Sequence, residues 1–457
     1  MQRLPTTLHR SASDGGASAS SKSQSRRRAP AAAGATRRRL LLWLWVGATL
    51  LVAFAVIRSL LQAKALHSQR AAPSPASATA SAGGAETLLD GRPIARPLPS
   101  VFPNGERSRF RCDLPSLRYQ CDLDAADGCK AYPQLFPAGE LLRHWPSHDT
   151  TAPSETFSSL CRFNISSPYE RALARVFHAM EVPFVMYGVP ELDAAAARWD
   201  DAYLTQQLGP DELYLVSVFN SSHFLYYRRS HAGPSDPPSP HEPEAWTYPD
   251  FVEYTRRRDA PVPAAAAGPA AASKLPPFAY LMLFASDIRD RAAFVLRDLA
   301  FLDPASAATS EAYGDLFLRD KAEAARKGLR CRIGVRGIVS DGHVDAGLNM
   351  VAMVRGAKRY VLSPPSVCGC LGLLPSGPSA RHTTVDWDRV ARERTAPHFG
   401  CAATEVVVST GDVLYIPSFW YHHIVALDQS IQCNARSGVI TRPVVREALE
   451  RCGLTVA

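Results

Sequence analysis

Short runs in which apolar positions alternate with polar ones, or stand unbroken for four to eight residues, recur through the second half of the chain. A period of two places alternate side chains on opposite faces, which is the signature of a strand. The pattern predicts strands at Phe278 to Phe284, Arg332 to Ile338, His343 to Val354, Arg359 to Leu362, Glu405 to Val408, Val413 to Ile416, His423 to Leu427 and Ile431 to Ala435. Upstream, Pro168 to Met180 fits a helix entering a strand at Val182 to Tyr187. Asp200 to Leu208 reads as a second helix, and Glu212 to Phe219 alternates as a strand. Ser230 to Pro243 is Pro/Ser-rich and Pro261 to Ser273 is Pro/Ala-rich, so both are expected to be loops or insertions. Arg442 to Arg451 closes the pattern as one short helix. Short strands at this density imply a mainly β fold, closed or built from two sheets.

One stretch follows neither period. Leu40 to Ile57, LLLWLWVGATLLVAFAVI, holds eighteen residues without a formal charge. At a rise of ~1.5 Å per residue it reaches about 27 Å as a helix, enough for a thin bilayer. A signal peptide would start nearer the N-terminus, and a buried core helix would not be apolar on every face. Arg37-Arg38-Arg39 precedes it, and a basic flank belongs on the cytosolic side. The expectation is a single-pass type II membrane protein of the endoplasmic reticulum or Golgi, its catalytic part in the lumen. An Arg/Ser-rich leader is also compatible with a transit peptide into an organelle.

Charge changes the picture only at one end. The chain has 457 residues, 51 Lys+Arg and 43 Asp+Glu, for a net charge of +8. Residues 1–39 hold nine of those cations and a single acid, Asp14. The basic excess is thus partly a disordered tail, and it gives no reason to expect a nucleic-acid partner. Hydrophobic residues make up 46%, sufficient for a sizeable core. The boundaries expected are a cytosolic tail (1–39), a transmembrane helix (40–61), an Ala/Ser/Pro-rich stem (62–108), a Cys-rich cap segment (109–163), a catalytic domain (164–438) and a short C-terminal helix (439–457).

Ten cysteines bear on the compartment. Cys112, Cys121, Cys129 and Cys161 precede the strand-rich region, and Cys368, Cys370 and Cys401 crowd one later loop. In an oxidising lumen these become disulfides. The rival is a zinc site built on Cys368, Cys370 and Cys401, whose spacing fits no common zinc module. Asn164-Ile165-Ser166 and Asn220-Ser221-Ser222 are glycosylation sequons.

The chemistry concentrates in DGHVDAGLNMVAMVRGAKRYVLSPP, Asp341 to Pro365, and GDVLYIPSFWYHHI, Gly411 to Ile424. In a strand His343 and Asp345 point to one face. The apolar strand Val413 to Ile416 turns at Pro417 and presents His422 and His423. Two His and one carboxylate with open positions form the ligand set of non-haem Fe(II) oxygenases. Taken alone, a His-x-Asp pair is more often a hydrogen-bonded histidine near a turn. Lys358 adds a cation that suits the far carboxylate of a 2-oxoacid, against the plain alternative of a solvated Lys-Arg pair with Arg359. A fourth protein ligand would block the open positions, so His423 is expected to pack rather than ligate.

These stretches resemble the JmjC/cupin-8 family of Fe(II)/2-oxoglutarate-dependent oxygenases, most of all its asparaginyl hydroxylase that inhibits hypoxia-inducible factor. The resemblance runs through His-x-Asp, a Lys after a basic-Gly turn ending in Pro-Pro, G-D-V-L-Y-I-P, and an aromatic pair before His-His-Ile. It implies a double-stranded β-helix (jelly-roll) with helices packed outside. It implies His343, Asp345 and His422 as iron ligands, and Lys358 for the distal carboxylate of 2-oxoglutarate. Ser340, Tyr280, Asn349 and Asn434 match further positions of the cosubstrate pocket. The departure is Arg436, where the nearest branch carries an aromatic beside its substrate site.

The expected activity is therefore a hydroxylase of a protein or peptide substrate, using Fe(II), 2-oxoglutarate and O2. An inactive cupin serving as a binding module and a related demethylase are the alternatives. Oligomeric state and substrate identity are not legible in the sequence.

Overall fold

The computed structural model describes residues 132–241, 243–259, 277–306, 311–439 and 442–454. The basic tail, the apolar span Leu40 to Ile57, the stem, the Pro261 to Ser273 loop and Cys112, Cys121 and Cys129 lie outside the described residues. Among the described residues no helix is long and apolar enough to cross a membrane.

Fifteen strands form among the described residues: β1 Phe136–Pro137, β2 Arg162–Asn164, β3 Phe184–Tyr187, β4 Leu213–Phe219, β5 His223–Phe224, β6 Pro243–Thr247, β7 Phe278–Leu283, β8 Arg330–Gly334, β9 Val339–Val344, β10 Asn349–Arg355, β11 Ala357–Ser363, β12 Ala402–Ser409, β13 Val413–Ile416, β14 Tyr421–Ala426 and β15 Ser430–Arg436. They assemble into two sheets. One has six strands in the order β1-β12-β11-β14-β9-β5, the other nine in the order β2-β3-β13-β10-β15-β8-β7-β4-β6. With helices packed around them, the result is a mixed α/β, cupin-like domain. Among the described residues no ladder closes either sheet into a barrel.

Local chemistry accounts for the elements. The helix Pro168–Ala179 starts with Pro at its first turn and Ser167 as its cap, accepting from the backbone N–H of Glu170. Asp200 caps the helix Asp201–Leu208, taking the Tyr203 N–H at 2.7 Å. The run predicted as one strand from His343 to Val354 is two, because Asp345 to Leu348 leave the ladder between β9 and β10. That break carries the chain from one sheet to the other. It returns at Gly356, whose φ of +78° and closeness to the Gln429 carbonyl admit no side chain. The Ser230 to Pro243 stretch is irregular apart from a turn of 3-10 helix at Arg229–His231 and the start of β6.

The main core fills the space around the nine-stranded sheet, with Phe163, Phe177, Phe184 and Tyr415 among its fully buried rings. A second cluster, including Leu141, Phe157, Val361, Trp387 and Leu449, packs with β1, β11 and β12 of the six-stranded sheet. There Arg359 is buried and paired with the equally buried Glu405 at 2.6 Å. The guanidinium also donates to the Leu141 carbonyl, and Glu405 accepts the Phe157 N–H. Lys358 and Arg359 are thus no solvated pair: both are buried, and as neighbours in β11 they face opposite ways. The segment 132–163 is built into the sheets, since β1 pairs with β12 and β2 runs parallel to β3.

Among the described residues three disulfides have both partners: Cys331–Cys433 joins β8 to β15, Cys368–Cys452 reaches the C-terminal helix Pro443–Arg451, and Cys370–Cys401 closes the intervening loop. Cys161 is disulfide-bonded as well. Cys370, His398 and Cys401 stand within metal-ligand reach of one another, but both sulfurs are consumed in the disulfide. That removes the zinc alternative. The three bonds point to an oxidising, secretory-type environment.

Candidate metal centre

The site begins with register. β9 and β14 run antiparallel, and His343 stands directly opposite His422, their ring centroids 4.2 Å apart. Directly paired residues share a face, so both imidazoles emerge on the same side of the sheet. Asp345 follows just beyond the end of β9, where its backbone carbonyl accepts the Phe419 N–H at 2.7 Å. The donor atoms of His343, Asp345 and His422 all lie within 4.8 Å of one another.

Backbone carbonyls fix which nitrogen each histidine offers. The Nδ1 of His343 lies 2.8 Å from the Asp341 carbonyl, and the Nδ1 of His422 lies 2.9 Å from the Trp420 carbonyl. A carbonyl only accepts, so Nδ1 carries the proton in both rings and Nε2 keeps its lone pair. Burial pushes both imidazoles below their ordinary value, and the charge of its neighbour His422 lowers His343 further. Neutral rings with bare Nε2 atoms suit a metal.

The carboxylate is oriented as firmly. Burial would raise the Asp345 carboxyl, but Arg436, with His343, His422 and Arg332, holds it well below the ordinary carboxylate range. Arg436 pairs with Oδ2 of Asp345 at 2.6 Å, and Asn349 donates to the same oxygen at 3.2 Å. Asn434 donates to Asn349 at 3.0 Å, and Arg332 to Asn434 at 2.6 Å. Asn349 and Asn434, expected in a cosubstrate pocket, thus form a relay from Arg332 to the carboxylate.

A cavity of about 550 Å³ opens on the triad, and Tyr280, Ser340, Asn349 and Asn434 line it. Lys358 lies one layer behind the wall. It is 3% exposed and reaches Tyr280 Oη at 3.4 Å. Burial lowers its ammonium group from the ordinary value, and among the described residues no carboxylate pairs with it. His423 faces away from the triad, its Nε2 3.1 Å from Ser147 Oγ. The sheet alternation that brings His422 in turns its neighbour out.

Several residues at this site carry no local signal in the sequence. His382 stacks on His343, the rings 4.8 Å apart at 15°. Arg330 and Arg332 line the cavity from β8. In the sequence they alternate with Cys331 and Ile333, a pattern that reads as a solvent face; here that face borders a cavity. The arrangement is a candidate 2-His-1-carboxylate metal site, consistent with the 2-oxoglutarate oxygenase superfamily.

Comparison with known proteins agrees on the domain. The Cupin-like domain family matches residues 170–435. The chain is 28% identical over 98 residues to the lysine-specific demethylase JMJ31 of Arabidopsis thaliana, covering 21% of this chain and 18% of that protein. It is 31% identical over 83 residues to the tRNA wybutosine-synthesizing protein 4 of Gibberella zeae, covering 18% of this chain and 7% of that protein. The chain thus spans under a fifth of the length of either relative. With more than half of its length matched by the family model, the chain belongs to the cupin-like domain family.

Proposed function

We propose that this protein is an Fe(II)/2-oxoglutarate-dependent oxygenase that hydroxylates a protein or peptide side chain in the lumen of the secretory pathway. The observation that carries this reading is the triad itself: two Nε2 atoms with fixed lone pairs and one carboxylate, gathered at a cavity. A 2-oxoacid is the co-substrate that fits the charges. Lys358 is a buried cation without a counter-charge among the described residues, and Tyr280 links it to the cavity. A carboxylate reaching Tyr280 and Lys358 would complete a charge-assisted contact in a dry pocket. Iron bound at the triad with 2-oxoglutarate and O2 supplies oxidative decarboxylation of the co-substrate coupled to hydroxylation of a C–H bond.

The chain's own residues do the rest. The Asp341 and Trp420 carbonyls hold the imidazole tautomers, and the Asn349–Asn434–Arg332 relay aims the carboxylate. Tyr280, Tyr360 and Ile416 wall the cavity.

One observation favours a second reading, a cupin that binds without turning over. Arg436 already occupies Oδ2 of Asp345. A demethylase acting on methyl-lysine is disfavoured by the same wall, because that substrate would bring a cation to Arg330, Arg332 and Arg436.

Anaerobic titration of the full-length chain with Fe(II) and then 2-oxoglutarate tests the proposal. The expected result is a weak visible charge-transfer band that needs both and is lost in Asp345→Ala. Iron binding with no such band would leave the binding-module reading standing instead.

A further inference from the structure

The cavity holds more positive charge than the proposed chemistry uses. Arg330 and Arg332 enter it from β8, and Arg436 enters from β15. These strands are adjacent, with Arg330 opposite Asn434 and Arg332 opposite Gln432. The Cys331–Cys433 bond ties the two strands at the intervening position, so the spacing of the arginines is built in.

Among the described residues two carboxylates line the same cavity, and both are engaged. Asp341 takes His223 Nδ1 at 2.7 Å, and Asp345 takes Arg436. Arg332 is spent on Asn434, a neutral partner. Arg330 has no carboxylate partner among the described residues. Burial and the neighbouring Arg436 and Arg332 make its own charge costly there. The Nε of Arg436 is likewise buried without an acceptor. A divalent metal would add two positive charges and a dicarboxylate co-substrate would remove two, so loading the centre leaves the excess in place.

We infer that the cavity takes an acidic peptide, whose Asp or Glu carboxylate is received by Arg330 and Arg436 beside the metal centre. A guanidinium offers a planar fork that matches a carboxylate in two parallel hydrogen bonds. Arg436 already grips Asp345 with Nη2, so Arg330, which has no carboxylate partner among the described residues, offers the open fork and Arg436 adds its charge beside it. Arg228 and Arg381 line the cavity too and extend its positive field outward, which draws an anionic segment in. The inference deepens the proposed hydroxylase reading and rests on it for the word substrate; the anion site itself stands on the arginines.

The test measures binding by fluorescence anisotropy, on the metal-free full-length chain in detergent. The probes are a labelled peptide with a central run of glutamates, its glutamine twin and a lysine counterpart. The acidic peptide should bind about tenfold or more tighter than the glutamine twin, the range for a charge-assisted contact. The preference should shrink with salt and be lost in Arg330→Gln, while Arg289→Gln, on an exposed helix remote in sequence, should keep it. Near-UV circular dichroism confirms that the variants fold, and the salt series on the unaltered chain tests the idea without any variant. Equal binding of the acidic and glutamine peptides would overturn it. So would a preference for the lysine peptide, or tighter binding of a sulfated oligosaccharide than of the acidic peptide. A separate assay of iron-dependent 2-oxoglutarate turnover keeps the two readings apart. Acid-selective binding with no turnover refutes the hydroxylase and keeps the anion site; turnover without acid selectivity does the reverse.

Discussion

Arg436 Nη2 and Asp345 Oδ2 are 2.6 Å apart, so the carboxylate of the candidate triad is held by a guanidinium on the neighbouring sheet. Asn349 donates to that same oxygen, which also lies 3.7 Å from His422 Nε2, so the oxygen that faces the second histidine is the one the guanidinium holds. The guanidinium keeps Asp345 ionised and also sets a positive charge beside the place a dication would take.

Arg436→Gln should therefore bind Mn(II) more tightly than the native chain. The expected gain is several-fold, on the order of 1 kcal/mol for one charge removed at short range in a partly solvated site. Calorimetry with Mn(II) measures it. Weaker binding in the variant would mean that orienting Asp345 matters more than the charge near it.

His422→Ala and Asp345→Ala should each abolish metal binding and any iron-dependent turnover, whereas His423→Ala should retain both in part. The reason is the pleat: His422 faces His343, and His423 faces Ser147. Co(II) absorption and 2-oxoglutarate turnover report the outcome. A native-like His422→Ala beside an inert His423→Ala would shift the ligand by one residue.

Lys358→Ala should raise the 2-oxoglutarate requirement far more than the iron requirement. Losing one charge-assisted contact in a buried pocket costs about 2–4 kcal/mol, roughly 30- to 1,000-fold in affinity. Titrating each component at saturating levels of the other separates the two effects. Equal weakening of both would make this lysine a structural residue.

Much of this was legible because strand period and ligand chemistry coincide. Val413 to Ile416 emerges as β13 with its expected ends, and Asp200 to Leu208 shifts by one residue. His343, Asp345 and His422 stood out because His-x-Asp and His-His are chemically conspicuous. The break after Val344 did not, since Asp345 to Leu348 keep no turn signal beyond Gly347. Arg330 and Arg332 were hidden for a different reason: alternation tells two faces apart, but not whether the polar one meets water or a cavity. The relay from Arg332 through Asn434 to Asn349 joins β8, β15 and β10, a long-range pairing no local pattern carries.

Stability should peak near neutral pH. Burial pushes His178 and His423 down to about 4, against an ordinary 6.5. The unfolded chain then binds more protons between those values, so stability falls as the pH drops from about 6.5 toward 4. His223 works the other way. Hydrogen bonds to Asp341 and Asp388 raise it to about 10, so its contribution is complete below about 6.5 and fades as the pH climbs through 10. Melting temperatures across pH should decline on both sides. His423→Asn should flatten the acid limb, and His223→Asn the alkaline one. An acid limb unchanged in His423→Asn would assign the loss to other groups.

Topology decides which substrates the site can meet. The apolar stretch Leu40 to Ile57 behind Arg37-Arg38-Arg39 predicts a cytosolic N-terminus with everything beyond about residue 62 in the lumen. The disulfides Cys331–Cys433, Cys368–Cys452 and Cys370–Cys401 require an oxidising compartment to persist, which agrees with that side. The two sequons differ in access. Asn164 is half-buried in β2, its Oδ1 taken by the Ser166 N–H at 3.0 Å, whereas Asn220 is exposed in the turn between β4 and β5. In sealed microsomes the domain should resist added protease and carry one endoglycosidase-sensitive glycan, abolished by Asn220→Gln and unaffected by Asn164→Gln. Reduction with dithiothreitol should lower its melting temperature, because the Cys331–Cys433 bond closes a long loop between adjacent strands. A protease-accessible domain without a glycan and with all thiols free would reverse the topology and admit cytosolic substrates, while the triad and its arginines would stand as described.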